Sequence, residues 1–252
     1  MAPLNQHASV KPDRLFYTAA GAIFLVLTVI GFQHYIFGGK HFDGTPIDPS
    51  MLATVVAHSS AIFAWYVLFF VQSLLISTQN RRLHMKLGWS VLVIASMIAV
   101  TGPLVATRGV ILNAAKDHAN QGVFDWPGRQ FLLIMYSEIA LYVLFVAVGV
   151  LNRKRPRIHR PMMLMAGLSI LSGATGRIPL VNSVFGLHTW MALFGPVVAL
   201  GSLLFLARWV VTRTFEREFA VGYAAFVVAT VVVSRLALTS LWGNWAGTIL
   251  KL

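Results

Sequence analysis

Cysteine is missing altogether from the 252 residues. Disulfides, thiolate metal sites, iron–sulfur clusters and thioether-attached haem are thereby excluded. Any cofactor has to be held by histidine, methionine, carboxylate or packing. Charge is scarce too, at 11% of residues, against roughly 25% in soluble domains. Acids are scarcer still, with 8 Asp and Glu against 20 Lys and Arg. The chain also lacks a glycine-rich phosphate loop, a nucleophile elbow and an HExxH pair. Those absences remove the commonest routes to nucleotide binding, acyl transfer and zinc proteolysis.

What is present is hydrocarbon. Apolar residues make up 57% of the chain, and its mean hydropathy is +0.73. Apolar runs recur along the whole length, so 1–252 reads as one membrane domain. About 20 apolar residues cross a bilayer as a helix. Seven stretches qualify: 15–37, 51–77, 87–107, 130–151, 162–181, 187–211 and 219–242. The expectation is an all-α, polytopic transmembrane bundle. The run from Leu15 to Phe37 has full spanning length after a short basic segment, so it reads as a retained span, unlike the shorter core of a signal peptide. Asp48-Pro49-Ser50 has the pattern of a helix start, and Pro161 suits the first turn of the fifth span. Trp242 and Trp245 suit an aromatic belt. The long loop Arg108–Gly128 has room for a short interfacial helix over Val110–His118.

The net charge of +12 is spread in short clusters between apolar runs. Such clusters face anionic lipid headgroups rather than nucleic acid. The densest is Asn152–Pro161, with five basic residues and no acid. Placing the basic clusters in the cytoplasm gives an N-in, C-out orientation in a bacterial inner membrane.

Ionisable groups inside spans need a partner or a task. Glu138, Arg177 and Arg235 are three of these. Pairing of Glu138 with Arg177 or Arg235 is the simplest account; a proton- or ligand-handling cavity is the alternative. Four histidines form a second pattern. His58 and His188 fall toward one membrane face, and His84 and His159 toward the other. Two non-covalent b-type haems need two axial pairs arranged in that way, each haem iron held by histidines from facing helices. Yet His84 and His159 lie in basic loops, where a histidine is more often an interfacial side chain than a ligand. Both roles stay open. His41, Asp43, Asp48, Asp117 and His118 match no defined metal spacing and read as solvated loop polarity. A faint repeat links Arg82-Leu83-His84 to Arg157-Ile158-His159, each followed by a Thr-Gly pair.

The segments His58–Trp65, Phe70–Leu75 and Arg82–Trp89, with His159–Ala166 and Gly176–Pro179 later, carry a resemblance. Over roughly residues 15–211 the chain resembles a widespread family of uncharacterised bacterial integral membrane proteins with a histidine/leucine-glycine-tryptophan motif. Pro161 departs from the pattern, standing where a basic residue or leucine is expected. The resemblance implies a seven-helix membrane fold. The histidine layout is also similar to that of two-haem transmembrane cytochromes b, in arrangement only. Haem-b electron transfer is thus the sharpest expectation. A transporter or a membrane-complex assembly factor using a polar cavity is the alternative, as is a scaffold without a site.

Overall fold

A computed structural model describes residues 10–40, 44, 46–115, 128–186 and 189–250. Everything regular among them is helix: α1 Val10–Gly31, α2 Gln33–Gly38, α3 Leu52–Ser77, α4 Arg81–Leu87, α5 Ser90–Ala115, α6 Gly128–Leu151, α7 Pro156–Ser169, α8 Ser172–Thr175, α9 Pro179–Phe185, α10 Thr189–Thr212, α11 Arg217–Ala237 and α12 Ser240–Leu250. Five stretches are long and apolar enough to cross a membrane, and the bent segment from Pro156 to Phe185 would make a sixth. The apolar part of α1, Leu15–Gly31, is somewhat shorter. Hydrocarbon cannot hydrate a peptide group, so backbone in such sequences closes its hydrogen bonds as helix. The outside of the bundle is oily: Leu15, Phe37, Leu151, Leu203 and Val228 are all largely exposed. The inside is aromatic, with Phe24, Trp65, Tyr66, Tyr142, Phe194, Phe219 and Phe226 fully buried.

Several expected boundaries are corrected. The fifth stretch, 162–181, is not one helix. It breaks after Ser169, resumes briefly in α8, and turns by 95° into α9. Small residues and the Pro179 ring at the start of α9 explain the break. Pro156, rather than Pro161, occupies the first turn of α7, and Pro161 sits inside that helix. The third span runs on through Val110 to Ala115 as part of α5. What would remain of a separate helix over Val110–His118 falls on residues outside those described. The seventh ends at Ala237, and Trp242 and Trp245 belong to the separate α12. There Trp242 donates from Nε1 to the Arg129 carbonyl at 2.7 Å. Asp48 caps a turn before α3, accepting from the Ser50 amide at 3.0 Å.

The basic clusters Arg81–Lys86 and Arg153–Arg160 border α4 and the start of α7, and together they make up the basic end of the bundle. One cation is nonetheless buried. Arg208, 5% exposed, clasps Glu216 across the α10–α11 turn, with Nε to Oε1 at 2.9 Å. Its guanidinium lies 5.2 Å from the ring centres of both Phe16 and Tyr17 on α1. Removing one partner of such a pair strands the other charge. Arg208→Ala is expected to cost about 3 kcal/mol, the lower end for a buried pair, because Glu216 stays 24% exposed. The thermal unfolding midpoint in detergent measures this, and an unchanged midpoint would show the clasp to be idle.

Candidate functional site

Two groups of polar side chains stand out, one at the basic end and one deeper in the bundle. At the basic end, His84 on α4 and His159 on α7 come face to edge, with ring centres 6.5 Å apart and planes at 83°. Each ring is tethered by the same device. His84 Nδ1 meets the Gln72 carbonyl at 3.3 Å, and His159 Nδ1 meets the Gly149 carbonyl at 2.9 Å. Gln72 and Gly149 lie near the ends of α3 and α6, the helices that precede the two histidines. The faint repeat in sequence therefore coincides with a repeat in geometry.

A carbonyl can only accept, so each Nδ1 carries the proton and each Nε2 keeps its lone pair. Neither Nε2 has a hydrogen-bond partner among the described residues. Tethering one ring nitrogen to a carbonyl is how proteins fix the tautomer and direction of a metal-binding histidine. Two imidazoles sharing one ion at about 2 Å per bond would place their ring centres roughly 6 Å apart. The observed separation is close to that. No cluster of three or more His, Asp or Glu is found among the described residues, so a bare ion would have too few side-chain ligands. A macrocycle that brings four nitrogens of its own needs only two.

The deeper group surrounds Glu138 on α6, which is 6% exposed. Its carboxylate accepts a hydrogen bond from Ser172 on α8. The Arg177 guanidinium acts electrostatically on both Glu138 and His58. It is itself held by the Gly173 carbonyl and by the Phe32 ring, 5.0 Å away. Among the described residues, Glu138 and Arg177 form no direct ion pair. His58 on α3 sits beside this group, with Nδ1 3.0 Å from Thr101 Oγ1 on α5. The break between α7 and α9 is what delivers Ser172, Gly173 and Arg177 to one place, since a straight helix would spread them along its length.

The structure thus brings His84 to His159 and gathers Glu138, His58 and Arg177. Arg235 is a correction: it is exposed in the last turn of α11 and does not meet Glu138. His188, His41, Asp43, Asp117 and His118 lie outside the described residues, so the expected His58–His188 pair has no described partner for His58. Sequence reading gives no polar role to Gln72, Trp65 or Tyr142, whose polar side-chain atoms are buried with no hydrogen-bond partner among the described residues. A signal exists for Gln72, a lone amide in an apolar run. For an indole or a phenol there is none, because aromatic packing explains both equally well. No protein-family model, curated protein or solved structure matches this chain, so the likeness drawn from its motifs rests on those motifs alone.

Proposed function

We propose that this chain is a haem-b protein of the bacterial cytoplasmic membrane, with His84 and His159 as the two axial ligands of one haem. The observation that carries the reading is the adjacent pair of tethered imidazoles, 6.5 Å between centres, each with no partner for Nε2 among the described residues. Bound between them, haem would supply a one-electron couple, and electron transfer through the membrane domain is the corresponding activity. The chain's own part is to hold each imidazole in the tautomer that presents Nε2. Basic side chains answer to the two anionic propionates. Arg81 and Arg160 act electrostatically on His84 and His159 respectively, and Arg82, Lys86 and Arg157 are exposed at the same end.

The same reading takes the helices as seven crossings, with α1 as the first and the bent α7–α9 segment as the fifth. The excess of arginine and lysine at the basic end supports a cytoplasmic location for it, against anionic lipid. The haem would then lie toward the cytoplasmic face.

The test is an absorption spectrum of the full-length protein, expressed with ample haem precursor and purified in detergent. The expected result is a Soret band that shifts and sharpens on reduction, with the split visible bands of a six-coordinate, low-spin haem. Colourless protein, still colourless after incubation with haemin, would overturn the proposal.

A further inference from the structure

Buried polar groups recur along α3 and α6 between the Glu138 group and the basic end. α3 and α6 both lead toward that end, and their rings meet at Trp65 and Tyr142. On α6, Tyr142 follows Glu138 by one turn, about 6 Å along the axis. It is fully buried and its hydroxyl has no hydrogen-bond partner among the described residues. On α3, Tyr66 is fully buried as well. Its hydroxyl donates to the Gly167 carbonyl at 2.9 Å. The Trp65 ring packs edge-on to Tyr142, 4.8 Å between centres. About 9 Å beyond Tyr66 along α3 lies Gln72, 8% exposed, with neither its amide nitrogen nor its oxygen bonded among the described residues. From Gln72 the end of α3 at Ser77 is about 8 Å away.

Each unpaired buried polar atom costs about 1–3 kcal/mol. Phenylalanine at position 142 and leucine at 72 would avoid that cost with little change in volume. The Tyr142 hydroxyl and the Gln72 amide bond to no neighbouring described helix, so they do not serve as interhelical glue. Polar atoms of this kind are normally met by internal water. Rows of carboxylates, hydroxyls and water in a membrane domain are the material of proton relays.

We propose that Glu138, Tyr142 and Gln72, joined by internal water, form a proton-conducting line through the bundle. A proton arriving from the end opposite the basic clusters adds to the Glu138 carboxylate and then passes to water. The Tyr142 hydroxyl accepts one proton on its oxygen as it gives its own to the next water. The Gln72 amide holds the water beyond it by donating through Nε2 and accepting at Oε1. One O–H bond forms for each that breaks, and no electron moves. Arg177, His58 and Tyr66 are the other ionisable groups facing the line. The line does not depend on haem being bound.

The experiment uses the full-length chain in liposomes with a pH-sensitive dye inside and a valinomycin-clamped potassium gradient as the driving force. Proton entry is expected to exceed that of protein-free liposomes at least about tenfold, and Tyr142→Phe, Gln72→Leu and Glu138→Gln should each lower it about tenfold. Tyr223→Phe, whose hydroxyl bonds Ser202 and the Val198 carbonyl well away from the line, should conduct like the parent. Unfolding midpoints separate conduction from packing. Loss of a hydroxyl that bonds no described residue of the protein should leave the Tyr142→Phe midpoint unchanged or raised, even as flux falls. If Glu138→Gln does not fold, the other two variants decide. Flux no higher than in protein-free liposomes would overturn the proposal, as would parent-like flux in both Tyr142→Phe and Gln72→Leu. The Soret band is read on the same preparation, so failure here leaves the haem reading standing, and the reverse also holds.

Discussion

Either His84→Ala or His159→Ala should lower haem occupancy at least about tenfold, the loss typical of disturbing a metal site by one well-placed group. The haem that stays should change from low-spin to high-spin, because one axial position has opened. Imidazole added to the buffer should return the low-spin spectrum in each single variant, since it refills that position. The double variant should bind haem no better than background. His34→Ala, at an exposed position on α2, should leave the spectrum as it was. His58→Ala should also leave it unchanged, since His58 is bonded to Thr101 in the other polar group. The two tethers add a subtler expectation. Both run to backbone carbonyls, so no side-chain substitution removes them directly, and Gln72→Leu should keep the haem while losing its amide. Parent-like spectra in both histidine variants would remove the pair from consideration as ligands.

Gly31→Ala should unfold or grossly loosen the bundle, with a loss of about 3 kcal/mol or more. A Cβ at position 31 would collide with the Ala174 carbonyl oxygen, and would stand 2.7 Å from its carbon and 2.9 Å from its Cα. All three are backbone atoms of α8, which cannot swing aside as a side chain can. α1 would have to lift away from the segment that carries Ser172 and Arg177. Gly149→Ala makes the useful comparison. There the added methyl group meets Met163 Sδ at 2.8 Å, and a methionine side chain can repack. Its cost should stay near 1 kcal/mol. Thermal unfolding of both variants in detergent measures the difference. Equal midpoints would mean that α1 and α8 are not held as closely as described.

Much of the bundle is legible in the amino-acid sequence, because long uncharged runs leave the backbone one solution. The breaks are harder to see. Residues 162–181 have enough hydrocarbon for a span, and nothing in their hydropathy records that Ser169 ends one helix and Pro179 starts another at 95°. The junction is set by packing: Gly31 lets α1 press on α8, and Gly167 lets the Phe24 ring approach, to within 3.1 Å of where its Cβ would lie. The pairing of His84 with His159 is visible as a repeat, yet the carbonyl tethers are not, since a backbone acceptor carries no residue type. Arg235 misleads for a related reason. Depth along a helix can be counted from sequence, whereas the side of the helix depends on neighbours, and α11 turns Arg235 outward.

The clasp of Arg208 carries a consequence for how the protein is made. Its aromatic cover comes from Phe16 and Tyr17 on α1, while its carboxylate comes from Glu216 in the turn between α10 and α11. A ribosome delivers these parts in order, so α1 can settle against α3 early but gains this contact only after α10 and the turn beyond it have been made. A nascent chain halted before residue 208 would lack the latch between α1 and α10.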